Sequence, residues 1–66
     1  MDNLAERLQK VVDHWIEHTE EHAKEFESYA ERIEKDFKDA SKGLKEAAQK
    51  LKEVVDILKG VKSSLS

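Results

Sequence analysis

Hydrophobic residues recur at helical spacing through the first half of the chain. At about 100° per residue they fall on one stripe of an amphipathic helix. The stripe consists of Leu4, Leu8, Val11, Trp15, His22, Phe26, Tyr29 and Ile33, and is widened on one side by Val12, Ala23 and Ala30. The pattern predicts a helix over about residues 2–34.

The second half of the chain repeats this pattern. Its apolar positions are Phe37, Ala40, Leu44, Ala47, Ala48, Leu51, Val54, Val55, Leu58, Val61 and Leu65. They predict a second amphipathic helix over about residues 37–62, followed by a polar tail, residues 63–66, that we expect to fray. The fold class is all-α, and the 66 residues form a single helical domain.

The apolar phase continues through residues 33–44, so the position of the turn rests on weaker signals. A turn at 34–36 gives two helices that cover each other, with Asp36 as N-cap of the second. A turn at 41–43 would use Gly43, but would leave much of a very long first helix without a partner. We favour the hairpin with its turn at 34–36, and leave open a third helix that begins at a break near Thr19, a good N-cap followed by two glutamates.

Composition supports this interpretation and adds an expectation of self-association. Charged residues make up 41% of the chain, Pro is absent and only two Gly occur, as in helices with solvated outer faces. Residues 1–36 carry a net charge of −6 and residues 37–66 one of +3, so the halves are complementary. Because so short a chain buries little apolar surface, we expect a homodimer or higher homo-oligomer, as an antiparallel four-helix bundle.

Several classes of function are disfavoured. The sequence has no basic patch large enough to indicate nucleic-acid binding. The polar face of the half that carries the aromatic residues is acidic, which disfavours binding to membrane surfaces. The chain has no Cys, no apolar run of about 20 residues and no secretion-type start. We therefore expect a soluble cytoplasmic protein without disulfides or thiolate chemistry.

The stretch from residue 14 to 26 holds all three histidines of the chain, four residues apart. Histidines at i and i+4 can present two ring nitrogens to one metal ion. The pattern predicts a divalent transition-metal site, for nickel, zinc or cobalt, used in storage, delivery or sensing. The candidate ligands are His14, His18 and His22, with Glu21 or Glu25 as a further ligand or hydrogen-bond acceptor.

One straight helix cannot bring the three histidines to a single ion, because each step of four residues advances 40° and His14 and His22 lie about 12 Å apart along the axis. A complete site would need the break near Thr19, or a two-fold dimer that joins His18 and His22 of both copies.

The competing interpretation is a non-catalytic oligomerisation or protein-interaction module with structural histidines. A haem site and a metallo-hydrolase are weaker alternatives. Residues 18–22 match the zinc-protease string H-x-x-E-H, but no third ligand or substrate pocket is evident. We expect no enzymatic activity.

The order HWIEH, a capping residue, EEHA and then EF, residues 14–26, continues with an aromatic residue and AE at 29–31. It resembles a short, uncharacterised His-rich helical domain associated with small nickel-binding proteins of the CooT type. The resemblance implies a connection with nickel and a metal-accessory protein as a possible partner. The pattern of that domain has Asn in place of Thr19, Trp in place of Tyr29 and a Gly turn in place of Asp36.

Overall fold

The computed structural model describes residues 3–66 as an all-helical hairpin. Helix α1 spans Leu4–Ile33 and helix α2 spans Lys38–Leu65, and they pack against each other along a body 56 Å long. The predicted all-α hairpin is confirmed. No described helix is long and apolar enough to cross a bilayer.

The start of α1 is fixed by Asn3. Its side-chain oxygen accepts hydrogen bonds from the backbone N–H groups of Ala5, at 3.0 Å, and Glu6, at 3.4 Å. An N-cap satisfies donors that the first turn of a helix leaves unpaired. The predicted start near residue 2 lies outside the described residues, and α1 begins at Leu4.

Helix α1 continues through Thr19, so the predicted alternative of a break and a third helix there is wrong. Thr19 is half-buried between the inward-facing Ile16 and Ala23, which keep their helical phase. An unbroken apolar phase without Pro or Gly favours a continuous helix over a new cap at the threonine.

The turn lies at 34–36, where the favoured hairpin placed it. The Ile33 carbonyl accepts from the backbone N–H groups of Asp36 and Phe37, at 3.2 and 2.8 Å. The prediction that Asp36 caps α2 is wrong, because the N-cap residue is Phe37 and no side chain caps this end. The alternative turn at 41–43 is also wrong, since Gly43 lies inside α2.

Helix α2 extends further than expected. It runs to Leu65, whereas the sequence predicted an end near residue 62 and a frayed tail over 63–66. The hydroxyl of Ser64 donates to the Gly60 carbonyl at 3.1 Å, and that of Ser66 donates to the Ser63 carbonyl at 2.9 Å. Of these two carbonyls, that of Ser63 lies in the last turn, where a helix end leaves carbonyls without a donor from the helix itself.

The core lies to one side of the predicted stripe. The buried residues are Val12, Ile16, Ala23, Ala30, Ser41, Ala48 and Val55. Ile16 was absent from the predicted stripe, whereas Trp15 and Tyr29, near its middle, are exposed. Each helix carries an apolar surface wider than one partner helix can cover, and the Val12, Ile16 and Val55 side of it forms the hairpin core.

Small residues line the core near the turn. Ala23, Ala30, Ser41 and Ala48 are all at most 3% exposed. The Ser41 hydroxyl donates to the Ala30 carbonyl across the hairpin at 2.7 Å, in a buried position. Short side chains permit close helix approach, and this bond ties α2 to α1 just beyond the turn.

Candidate functional site

A seven-residue repeat organises both helices. With Ile16 and Ala23 at position a and Val12 at d of α1, the inward positions of α2 are Val55 at a and Leu58 at d. In such a repeat the e positions lie beside a, and the g positions lie beside d on the opposite side of the seam. The two broad faces of the hairpin therefore differ in which of these positions they display.

We call the face with the e positions the charged face. On α1 its residues are all acidic, and on α2 they are all lysines: Glu6, Asp13, Glu20 and Glu27, then Lys38, Lys45, Lys52 and Lys59. Lys52 and Lys59 pair with acids of α1, Lys45 pairs with Glu34 of the turn, and Lys62 adds a fourth ion pair. The pairs are Lys45–Glu34 at 3.5 Å, Lys52–Glu27 at 3.0 Å, Lys59–Glu20 at 3.9 Å and Lys62–Asp13 at 2.6 Å.

We call the face with the g positions the apolar face. It consists of Leu8, Trp15, His22 and Tyr29 of α1 and Ala40, Ala47, Val54 and Val61 of α2. Trp15 is 47% exposed, Tyr29 53% and Val54 42%. The c positions extend the surface at the end away from the turn, where Leu4, Val11 and Ile57 are also exposed. Within residues 3–66, the large exposed hydrophobic side chains lie on this surface or at Phe37 beside the turn.

The three histidines lie at different positions around α1. His14 is on the outer surface, His18 at the border of the apolar face, and His22 within that face. The rings of His14 and His18 are in contact, with centroids 4.2 Å apart and planes tilted by 46°. Nδ1 of His22 lies 3.3 Å from Oε1 of Glu25, and its ring lies 6.4 Å from that of Phe26.

The predicted metal ligands thus form two pairs and do not converge on one point. His14 and His18 make one pair, and His22 and Glu25 the other. Glu21 lies on the outer surface, exposed to solvent. No three His, Cys, Asp or Glu side chains within residues 3–66 are grouped so as to hold a metal ion.

Two functional features were missed by reasoning from the sequence. Ile57, at a c position beside the apolar face, is 67% exposed but was not among the predicted apolar positions. The charged face was noticed only as an overall charge difference between the halves. Its signal was available as acids at every seventh position from Glu6 to Glu34 and lysines at every seventh from Lys38 to Lys59.

Comparison with known proteins identifies the family of the chain. No curated protein and no solved structure matches the chain. A family profile described as a domain of unknown function, DUF8180, matches residues 3–65, which is almost the whole chain. The hairpin, with its one charged and one apolar face, therefore belongs to the DUF8180 family.

Proposed function

We propose that the chain is a non-catalytic self-association module that pairs with a second copy through its apolar face. The observation that carries this proposal is the contrast between the two faces. Ion pairs within the chain complete the charged face, whereas Trp15, Tyr29 and Val54 stay about half exposed on the other. On that face the Arg32 guanidinium lies 5.0 Å from the centre of the Tyr29 ring and covers only part of it. Contiguous exposed apolar surface of this kind is typical of an interaction site.

The dimensions of the hairpin fit this role. Its Cα atoms span 56 by 15 by 10 Å, so that one broad face is on the order of the 800 Å² that each partner buries in a standard interface. Within residues 3–66, only seven residues are buried in its core. A second hairpin would turn this thin layer into a four-helix bundle with a central core.

Sedimentation equilibrium with a matched pair of variants tests self-association. Tyr29→Glu places a charge on the apolar face, and Ser28→Glu places the same charge on the adjacent outward position. We expect Tyr29→Glu to weaken association by at least about 30-fold, roughly 2 kcal/mol, because a carboxylate would be buried in an apolar interface. Ser28→Glu should match the unsubstituted chain. A chain that sediments as a 7.6 kDa monomer at millimolar concentration would contradict the proposal.

The second candidate function is binding of a divalent transition metal, for storage, delivery or sensing in the cytoplasm. Its support is the contact between the His14 and His18 rings, whose centroids lie 4.2 Å apart. The i, i+4 spacing allows both rings to turn one nitrogen to a common ion. His22, with Glu21 or Glu25, would need a second chain to join them. The resemblance to the nickel-associated domain favours nickel, with zinc and cobalt as alternatives and a metal-accessory protein as partner.

Calorimetric titration of nickel and zinc into the protein tests this candidate, with His14→Ala, His18→Ala and His22→Ala beside it. We expect His14→Ala and His18→Ala to abolish binding, and His22→Ala to weaken it only if a second chain contributes. Acidification should release the ion, because imidazole binds metal in its neutral form. If all three variants bind the metal with the affinity of the unsubstituted chain, histidine ligation is ruled out.

A further inference from the structure

The g positions of the two helices differ in size. On α1 they hold three large side chains and a leucine, namely Leu8, Trp15, His22 and Tyr29, and on α2 they hold small ones, namely Ala40, Ala47, Val54 and Val61. Because the side chains of the apolar face are larger on α1 than on α2, two such faces pack better in one relative orientation than in another. If the chain self-associates as proposed, the sizes of these side chains therefore determine the geometry of the pair.

The register of the hairpin places these residues at four levels. Ala30 is bonded to Ser41, and Ile16 packs with Val55, so the numbers of residues at the same level add up to about 71. Leu8 thus lies level with Val61, Trp15 with Val54, His22 with Ala47, and Tyr29 with Ala40. Every level of the apolar face has one larger side chain from α1 beside one smaller side chain from α2.

Two face-to-face orientations keep neighbouring helices antiparallel. In the first, both turns lie at the same end, and α1 of one copy packs on α2 of the other. Trp15 then meets Val54 of the second copy, and Tyr29 meets Ala40. In the second, the turns lie at opposite ends and α1 packs on α1. Trp15 then meets His22 of the second copy, and Ala40 meets Val61.

Large side chains facing small ones fill an interface without voids or overlap. The first orientation satisfies this condition at all four levels. The second places Trp on His and Leu on Tyr along one seam, and Ala on Val along the other. The large side chains would hold the α1 helices of the two copies apart, whereas the small side chains would require the α2 helices to approach closely. One interface cannot satisfy both spacings.

The border of the face favours the same orientation. At the end away from the turn the c positions are apolar, with Val11 and Ile57, and nearer the turn they are charged, with Glu25 and Lys50. With both turns at one end, Val11 lies beside Ile57 of the second copy, and Lys50 lies level with His18 of the second copy. With the turns at opposite ends, Val11 would face Glu25, and Lys50 would face its own counterpart.

We propose that two copies pair through the apolar face with both turns at the same end, so that α1 of each copy packs on α2 of the other. This orientation places the His18 residues on opposite edges of the bundle. A site that combines His18 and His22 of both copies does not form in it, and any metal bound by the histidines is held within one chain.

Pulsed dipolar spectroscopy tests the orientation with one spin label at the turn. The chain has no cysteine, so Lys35→Cys gives a single attachment point on an exposed residue. With both turns at one end, the labels should lie less than about 30 Å apart, since neighbouring helices are about 10 Å apart. Turns at opposite ends would separate them by nearly the 56 Å length of the hairpin.

The outcomes separate the two proposals. A short distance supports the orientation. A long distance overturns the orientation but leaves self-association intact. Absence of any intermolecular dipolar coupling at concentrations above those of the sedimentation experiment overturns self-association, and the orientation with it.

Crosslinking gives an independent test. A mixture of Val11→Cys and Ile57→Cys chains, treated with a short bis-maleimide, should yield the mixed dimer as its main product. His18→Cys alone should yield almost none, because it meets its counterpart only when the turns lie at opposite ends. Efficient crosslinking of His18→Cys, or no mixed dimer from the first pair, would overturn the proposed orientation.

Discussion

The two broad faces of the hairpin share a seven-residue repeat but differ in what completes them. On the charged face, acids of α1 meet lysines of α2, as in the Lys52–Glu27 pair at 3.0 Å, so each helix supplies the partner of the other. On the apolar face neither helix presents a lysine or a carboxylate, and Trp15 and Tyr29 stay about half exposed. Charge complementarity can be completed within one chain, but an apolar surface of this width needs another surface.

The difference assigns separate roles to the faces. The charged face fixes how α2 lies on α1, because a rotation of either helix would separate lysines from acids and expose Val12 or Val55. The apolar face contributes little to the isolated hairpin. Changes on the apolar face should therefore affect association, and changes on the charged face should affect the hairpin itself.

The largest expected effect comes from Trp15. Trp15→Ala removes the largest side chain of the apolar face, and we expect association to weaken by about 2–4 kcal/mol, as for a central aromatic anchor. His14→Ala changes the adjacent outward residue and serves as the control. Thermal unfolding followed by circular dichroism should depend on protein concentration for the unsubstituted chain and for His14→Ala, but not for Trp15→Ala. If the thermal unfolding of Trp15→Ala and His14→Ala depends on protein concentration in the same way, the apolar face has no special role in association.

Much of the fold could be predicted from spacing alone, because it depends on local periodicity. The two helices and the turn at 34–36 are consequences of apolar phase and of the need for helices of similar length. The end of α2 could not be predicted, since it depends on how Ser64 and Ser66 hydrogen-bond to nearby carbonyls.

The choice of core was harder to predict. Both helices have apolar surfaces wide enough for two seams, so hydrophobicity placed Trp15 and Tyr29 near the centre. The structure buries Ile16 and Ala30 in their place. The seven-residue spacing of Glu20 and Glu27 would have indicated this side, because e positions border the seam that is used. For the histidines, spacing predicts the contact of His14 with His18 but no third ligand.

The next effect in size concerns His22, the most polar residue of the apolar face. His22→Leu should strengthen association by about tenfold, near 1.4 kcal/mol, because an apolar side chain replaces an imidazole that would be desolvated. His14→Leu, on the outer surface, should leave association unchanged. The dissociation constants from sedimentation equilibrium give the comparison. Weaker association of His22→Leu would indicate that the imidazole makes a favourable contact across the interface.

Substitution of either glycine should have a smaller effect, on the stability of the isolated hairpin. Gly43 and Gly60 lie inside α2, and a Cβ at either position would meet nothing within 4 Å. Gly60→Ala should stabilise the hairpin by about 0.5–1 kcal/mol, because glycine loses more backbone freedom in a helix. Gly43→Ala should give the same gain. Urea unfolding at low protein concentration measures both, and a clear loss at Gly43 would indicate crowding at the edge of the apolar face.

The smallest expected effect belongs to single ion pairs of the charged face. Glu27 and Lys52 are 44% and 51% exposed in their side chains, and pairs so exposed contribute about 0.2–1 kcal/mol. Glu27→Lys and Lys52→Glu should each destabilise the hairpin by this order, and the double exchange should restore most of the loss. Urea unfolding of the unsubstituted chain, the two single variants and the double variant gives the coupling energy between Glu27 and Lys52.

Salt separates this electrostatic coupling from packing. At about 1 M salt the screening length falls to about 3 Å, so the coupling between Glu27 and Lys52 should nearly vanish while the effect of Trp15→Ala persists. A coupling that survives high salt would mean that the alkyl parts of these side chains, and not their charges, hold the helices in register. The charged face would then resemble the apolar face in its physics, and the division of roles between the two faces would no longer hold.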